Sequence, residues 1–271
     1  MLQEKGIVHL NKFLSDEKLV RLKDEINRIS KEFIINGNSK GSIWINNNQF
    51  EVSNPIVNIE SVNLLDIAFE IYKKLKEITS TSYTLTCLRI MGERKNVYPV
   101  NWHTDSAKNN IRGLLYLSGG EKNNGNLSYV EGSHKIDHKK DETHNIDLSK
   151  LNLETKIYTC DSKPGDLVLI DINGFHKKNI VKNERKIIFF EFQHQEDTQK
   201  TKTKIIFDNS KITEEMLKEP NFLFYKSDQT KLIEPVYYDY LIPHTPLKVF
   251  RYYFFSFFKI QLKKIFNKFN L

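Results

Sequence analysis

Hydrophobic residues recur along this chain with two different spacings, and each spacing predicts a different kind of element. Near the N-terminus the spacing is helical, and Ser15 is placed to cap a helix with apolar positions Leu19, Leu22, Ile26 and Ile29. A second helix is predicted from about Ser61 to Glu77, after a polar interruption at residues 36–49. From residue 80 to 193 the spacing shortens to two, in short runs broken by Gly, Asn and Asp.

This change of spacing predicts the fold class, which is mainly β with flanking helices. Many short strands separated by turn residues suit a double-stranded β-helix, the jelly-roll or cupin-like core. We expect residues 1–198 to form this core together with its N-terminal helices. Residues 199–246 are predicted to be an extension, either a substrate cap or a structural bridge to a tail at 247–271.

Composition narrows the class of protein. Hydrophobic residues make up 39% of the 271 positions and aromatic residues 12%, which predicts a globular protein and excludes a disordered one. Two cysteines, Cys87 and Cys160, lie in strand-like runs, where buried packing is the better interpretation than a disulfide. With no secretory leader at the start of the sequence, we expect a cytoplasmic location.

The C-terminal tail carries most of the net charge of +7. No acidic residue follows Asp239, whereas six lysines or arginines do. Phenylalanines at helical spacing beside these cations predict an amphipathic basic helix that lies peripherally on the inner face of a membrane, or docks on the protein's own core or another subunit. The cations are too frequent for a transmembrane span, and no motif for nucleic acid accompanies them.

The most informative chemical pattern is His103-Thr104-Asp105, followed by a distant His176. Residues one and three of such a triplet lie on the same side of an extended backbone, so an imidazole and a carboxylate can converge on one cation. Two imidazoles and one carboxylate on one face of a metal leave the opposite face open, as non-haem Fe(II) oxygen chemistry requires. A structural zinc site would be closed.

Arg185, nine residues after His176, is the second element of the pattern. A guanidinium fork pairs strongly and directionally with a carboxylate in a water-poor pocket. 2-Oxoglutarate fits both features, because its keto acid can chelate iron while its far carboxylate reaches the arginine. Lys186 is the alternative anchor.

Trp102 to Asp105, the run from Gly165 to Ile170 that leads to His176, and the run from Gly125 to Lys135 with its Gly-Ser-His sequence together resemble the phytanoyl-CoA dioxygenase family of Fe(II)/2-oxoglutarate oxygenases. The opening, Gly6 to Leu10 and Phe13 to Glu17, is also similar, so that the resemblance spans about residues 5 to 193. It implies that His103, Asp105 and His176 hold Fe(II) and that Arg185 anchors 2-oxoglutarate. The interval between His176 and Arg185 is shorter than in many relatives.

The resemblance implies a dioxygenase that uses O2 to hydroxylate an unactivated carbon and releases succinate and CO2. The substrate is expected to be a small or a lipid- or glycan-linked metabolite, and an intact Asp105 argues against halogenation. The alternative is a jelly-roll protein that binds metal without turnover and acts as a binding module or membrane-surface scaffold. Candidate substrate contacts, chosen for their proximity to the ligands, are Arg89, Trp102, Arg112, Tyr129, His134 and Gln193.

Overall fold

The β-rich part of the chain forms two antiparallel sheets in the computed structural model, which describes residues 2–36, 42–45, 49–53, 62–94, 99–105, 110–136, 146–150, 156–194, 213–219 and 221–222. In spatial order, the larger sheet contains β1 (Ile7–Leu10), β9 (Leu167–Asp171), β6 (Asn110–Ser118), β11 (Arg185–His194), β4 (Tyr83–Glu93), β3 (Gln49–Ser53) and β2 (Ser42–Ile45). The smaller sheet contains β5 (Val100–His103), β10 (His176–Lys178), β7 (Leu127–Val130) and β8 (Ile157–Thr159). The predicted fold class, a mainly β jelly roll with flanking helices, is confirmed.

Alternation along the strands gives the larger sheet two different faces. On β11, Ile188, Phe190 and Phe192 are buried on the side that packs against the helices. Ile187 and Phe189 point the other way, into a second core between the two sheets. The inner face of β11 therefore reads Arg185, Ile187, Phe189, Glu191, with charge at both ends and an apolar middle.

The helices cover the outer face of the larger sheet. They are α1 (Leu2–Lys5), α2 (Asp16–Asn36) and α3 (Val62–Thr79). The two long helices agree with the helical spacing: Ser15 accepts a hydrogen bond from the amide of Lys18 at 3.3 Å, and Leu19, Leu22 and Ile26 are buried. The side chain of Ile29 lies outside the described residues. The predicted polar interruption at 36–49 instead contains β2, which pairs with β3 as a hairpin.

The described part of the extension packs on α3. It contains α4 (Glu214–Leu217) and Phe222, whose ring lies 4.9 Å from that of Phe69 and 5.2 Å from that of Tyr72. The backbone carbonyl of Phe222 also accepts a hydrogen bond from the amide of Leu85 at 2.9 Å. This described part packs on the helical side of the sheet, and the choice between a substrate cap and a structural bridge for the whole extension stays a prediction.

The tail at 247–271 and the rest of the extension lie outside the described residues, so their roles stay predictions. None of the helices in the described part of the chain combines the length and hydropathy that a membrane span requires. Cys87 and Cys160 are buried and unpaired, and burial raises the pKa of each thiol to about 12.

Candidate metal and cosubstrate site

The smaller sheet brings His103, Asp105 and His176 together. His103 ends β5 and His176 begins β10, and the two residues are direct partners in the antiparallel ladder. Asp105 follows β5, where its amide donates to the carbonyl of Ile172 at 3.0 Å. Nε2 of His103 lies 3.5 Å from Oδ1 of Asp105, and Nε2 of His176 lies 3.9 Å from Oδ2. All three ligand atoms lie within 4.8 Å of one another.

Backbone carbonyls fix the orientation of both imidazoles. Nδ1 of His103 donates to the carbonyl of Asn101 at 2.7 Å, and Nδ1 of His176 donates to the carbonyl of Gly174 at 2.9 Å. Because a carbonyl only accepts, each Nδ1 carries the proton and each Nε2 presents a lone pair to the shared point. Nε2 of His176 is buried with no hydrogen-bond partner among the described residues. A metal ion is the partner that this nitrogen lacks.

The protonation states also suit a metal. Burial lowers the pKa of His176 to about 4, although the negative charge of Asp105 opposes the shift, so its imidazole is neutral near pH 7. For Asp105, burial alone would raise the pKa, but Arg112 and the two histidines lower it to about 2. No fourth His, Cys, Asp or Glu joins the group within the described part of the chain. Three ligands with an open face fit Fe(II) better than structural zinc.

A second charged group, the anchor cluster of Arg185, Glu93 and Lys178, lies between the sheets further along β10. Nη1 of Arg185 lies 2.5 Å from Oε2 of Glu93, and Nζ of Lys178 contacts Oε1. The side chains of Arg185 and Glu93 are 3% and 0% exposed. Burial would raise the pKa of Glu93, but the two cations lower it, so the carboxylate stays ionised.

Unsatisfied donors at the anchor cluster fit the far carboxylate of 2-oxoglutarate. Nε of Arg185 and the hydroxyl of Tyr116 are both buried and make no hydrogen bond of good geometry among the described residues, although the hydroxyl lies beside the Arg185 guanidinium and Ser162. The Arg185 guanidinium lies 5.7 Å from the centre of the Tyr116 ring. Gly119 and Gly125 let the backbone approach Arg185 closely, since a Cβ at either would lie within 2.8 Å of its side chain. A buried donor without an acceptor lowers the stability of the fold, unless a bound ligand supplies the acceptor.

Arginines and glutamates form a network on the other side of the metal ligands. Nη1 of Arg112 lies 2.6 Å from Oδ2 of Asp105, and its Nη2 lies 2.8 Å from Oε1 of Glu191. Arg89 contacts the same oxygen of Glu191 and lies 3.7 Å from Glu51. This network holds the ligand Asp105 in place from the larger sheet.

The sequence profile of the family described as "Phytanoyl-CoA dioxygenase (PhyH)" matches residues 2–185, more than half of the chain. The chain belongs to the phytanoyl-CoA dioxygenase family. A comparison with curated protein sequences finds no significant match.

Several solved structures share the fold of this chain at low sequence identity. The epimerase SnoN from nogalamycin biosynthesis is 12% identical, with a TM-score of 0.60, and 89% of this chain and 94% of SnoN are covered. The carbocyclase SnoK of the same biosynthesis is 12% identical with a TM-score of 0.57, covering 89% and 92%. HygX from Streptomyces hygroscopicus, crystallised with nickel and 2-oxoglutarate, is 13% identical with a TM-score of 0.54, covering 72% and 85%. The predicted Fe(II) and 2-oxoglutarate are consistent with membership of the family and with the His-Asp-His group.

Two of the predicted substrate residues, Arg89 and Arg112, belong to the network beside the proposed metal ligands, and both are already paired within the protein. Arg89 and Arg112 lie on the inner face of the larger sheet, 5.3 and 5.6 Å from the centre of the Phe189 ring. Both contact Glu191, so their charge is balanced within the protein. Gln193 is buried two residues beyond Glu191, on the same face of β11.

The other three predicted substrate residues occupy structural positions. Trp102 is adjacent to His103 on β5, so the two side chains point to opposite faces of the smaller sheet. The Trp102 ring centre lies 4.8 Å from Nζ of Lys177, on the face away from the proposed metal ligands. The Tyr129 hydroxyl donates to the carbonyl of Asp171 at 2.9 Å. His134 lies against the N-terminal helix, with Nε2 3.2 Å from the carbonyl of Gln3. These contacts show where the three side chains are held, and a substrate contact by any of them stays a prediction.

The two predicted anchors for 2-oxoglutarate, Arg185 and Lys186, point to opposite faces of β11. Arg185 is buried on the inner face, whereas Lys186 points outward and pairs with Glu184 at 2.8 Å. Three charged residues of the site were not predicted: Glu93, Lys178 and Glu191. For two of them the alternation of side chains along a strand was the available signal. Lys178 follows His176 by two residues and Glu191 follows Arg185 by six, so each lies on the same face as a predicted site residue.

Proposed function

We propose that this protein is an Fe(II)/2-oxoglutarate-dependent hydroxylase of a small organic molecule. The observation that carries the proposal is a pair of unsatisfied sites in one interior: a buried imidazole nitrogen at His176 and buried donors at Arg185 and Tyr116. Lys178, which contacts the Glu93 partner of Arg185, follows His176 by two residues on β10, and two residues of an extended strand span about 6.6 Å, comparable with the length of a five-carbon diacid. One 2-oxoglutarate molecule can therefore serve both sites.

Each element of the site has a separate task in this proposal. His103, Asp105 and His176 would hold the ion on one face, and Arg185 would orient the cosubstrate from its far end. Iron, 2-oxoglutarate and O2 together supply an oxidant able to break an unreactive C–H bond, with succinate and CO2 as co-products. Ile187 and Phe189 line the interior between the charged ends and keep water away from the reacting atoms.

The substrate proposed here is a polar small molecule that approaches from the arginine–glutamate side. Asp105 is 25% exposed, more than any member of the anchor cluster, in which Lys178 is 14% and Arg185 3% exposed, so the Asp105 end is the more open one. Because the arginines are balanced by Glu191 and Glu51, the site favours a neutral or zwitterionic molecule over a strongly acidic one. Proteins of similar fold were crystallised with the small molecules nogalamycin RO and hygromycin B.

Incubation with Fe(II), 2-oxoglutarate and ¹⁸O₂ tests the proposal, with polar metabolites screened as substrates. We expect succinate, and one labelled oxygen atom in the product. Succinate with an unlabelled product would replace hydroxylation by another oxidative outcome, such as epimerisation or ring closure. If no succinate forms under any condition, the protein binds metal without turnover. His176→Ala is the matched inactive control.

A further inference from the structure

The anchor cluster differs from a simple arginine anchor because it contains its own carboxylate. Glu93 lies opposite Arg185 in the ladder between β4 and β11, and it already holds one nitrogen of the guanidinium at 2.5 Å. Glu93 is also fully buried, with a side chain 0% exposed. The far carboxylate of 2-oxoglutarate would therefore have to share Arg185 with an internal acid.

If the cluster contained only Arg185 and Glu93, binding of a second carboxylate to Arg185 would be unfavourable. Together they are neutral, and a second carboxylate would leave the buried group with a net negative charge, which is costly away from water. A further cation is needed to make the group attractive to a dianionic cosubstrate. Lys178 supplies it, because its ammonium contacts the other oxygen of Glu93.

We infer that Lys178 is the second cation of the cosubstrate site and sets its preference for a dicarboxylic 2-oxo acid. The inference rests on the proposed function and adds a residue to it. Two cations and one carboxylate leave one net positive charge between the sheets, which the far carboxylate of 2-oxoglutarate neutralises. Glu93 holds the two cations side by side until the cosubstrate arrives.

The position of Lys178 on β10 supports this role. Side chains alternate along a strand, so Lys178 faces the same interior as His176, two residues earlier. Its side chain is 14% exposed and bridges from the smaller sheet to the larger one. Lys177, the residue between them, points to the outside over Trp102. The neighbouring lysine therefore provides a matched control of equal charge and nearly equal sequence position.

Lys178→Met removes the charge and keeps the length of the chain, so we expect 2-oxoglutarate binding to the Ni(II)-loaded protein to weaken roughly 10- to 100-fold. Binding of 2-oxovalerate, which lacks the far carboxylate, should change less than about twofold. Adding Glu93→Gln to Lys178→Met restores one net positive charge, and should return 2-oxoglutarate affinity to within about threefold of the wild type. Lys177→Met should have no effect. Calorimetry with both 2-oxo acids measures all of these values.

Each outcome decides a different part of the inference. If the wild type itself does not prefer 2-oxoglutarate to 2-oxovalerate, the proposed function is wrong at its anchor. If the wild type prefers 2-oxoglutarate and Lys178→Met binds it equally well, only the role of Lys178 is wrong. Equal losses for both 2-oxo acids would indicate a structural role and overturn the inference. Should Lys178→Met fail to fold, the double variant, which has the same net charge in the anchor cluster as the wild type, still tests the inference. Weak binding of 2-oxoglutarate to the double variant would contradict the charge argument.

Discussion

Replacing Glu191 with Gln tests how the larger sheet supports the metal ligands. Glu191 accepts hydrogen bonds from both Arg89 and Arg112, and Arg112 in turn holds Asp105. Removing one partner of a fully buried ion pair costs about 3–5 kcal/mol. The three side chains are 13–15% exposed, and Gln retains part of the hydrogen bonding, so we expect a loss of about 2–3 kcal/mol of unfolding free energy.

The loss of unfolding free energy in Glu191→Gln should depend on pH, and the charges around Glu191 determine its direction. Burial would raise the pKa of Glu191, but Arg89 and Arg112 lower it below that of an unfolded glutamate. Its stabilisation is therefore fully present above about pH 4.3, the ordinary value, and declines as pH falls through and below it. The stability gap between wild type and Glu191→Gln should be widest near pH 7 and shrink in acid.

Thermal and urea unfolding of the metal-free proteins measure this gap. At pH 7 we expect a melting temperature lower by about 5–10 °C, from roughly 2–4 °C per kcal/mol for a chain of this size. Glu184→Gln is the control, because that residue pairs with Lys186 at the surface with 58% exposure and should cost less than about 0.5 kcal/mol. A Glu191→Gln protein as stable as the wild type at pH 7, or a gap that does not shrink in acid, would refute the reasoning.

Three further predictions concern the metal, the anchor and the extension. His103→Ala should abolish Fe(II) binding and succinate formation, measured by anaerobic metal titration and product analysis; unchanged turnover would remove the ligand assignment. Arg185→Gln should raise the KM for 2-oxoglutarate roughly 10- to 100-fold and Lys186→Gln less than about twofold, and the reverse ranking would move the anchor. Phe222→Ala should cost about 3–5 kcal/mol of stability without changing Fe(II) affinity, and a change in affinity would contradict its separation from the site.

Much of the fold can be predicted from the sequence, because the helical spacing and the two-residue spacing of hydrophobic positions are both strong in this chain. The strand runs ending at Ile90 and Leu117, and the one that begins at Leu167, appear in the structure with small changes at their ends. The triplet of His103 and Asp105 also needs only local geometry to be recognised. Its partner His176 was placed by a turn followed by an apolar strand, a local signal as well.

The rest of the site depends on which strands are neighbours. The pairing of Glu93 with Arg185 requires the register of β4 against β11, and the contact with Lys178 requires the packing of one sheet on the other. No local pattern contains this information. Trp102 shows the opposite case, since alternation from His103 already indicates that its side chain points outward.

The contacts of His134 depend on a segment far away in the sequence. The Gly-Ser-His setting of His134 suggested the pocket, but Gly6 has a positive φ of 77° and turns the N-terminal helix toward this loop. Ser133 fixes the loop from within, donating to the carbonyl of Val130 at 2.6 Å and accepting from the amide of Phe175 at 2.8 Å. The loop motif is thus explained by its contacts with the backbone.

The most direct test of the account is a crystal structure of the protein prepared anaerobically with Fe(II) and 2-oxoglutarate. We expect one ion bound by Nε2 of His103, a carboxylate oxygen of Asp105 and Nε2 of His176, with the far carboxylate of 2-oxoglutarate on Arg185. An ion bound elsewhere, or 2-oxoglutarate bound with its far carboxylate away from Arg185, would contradict it.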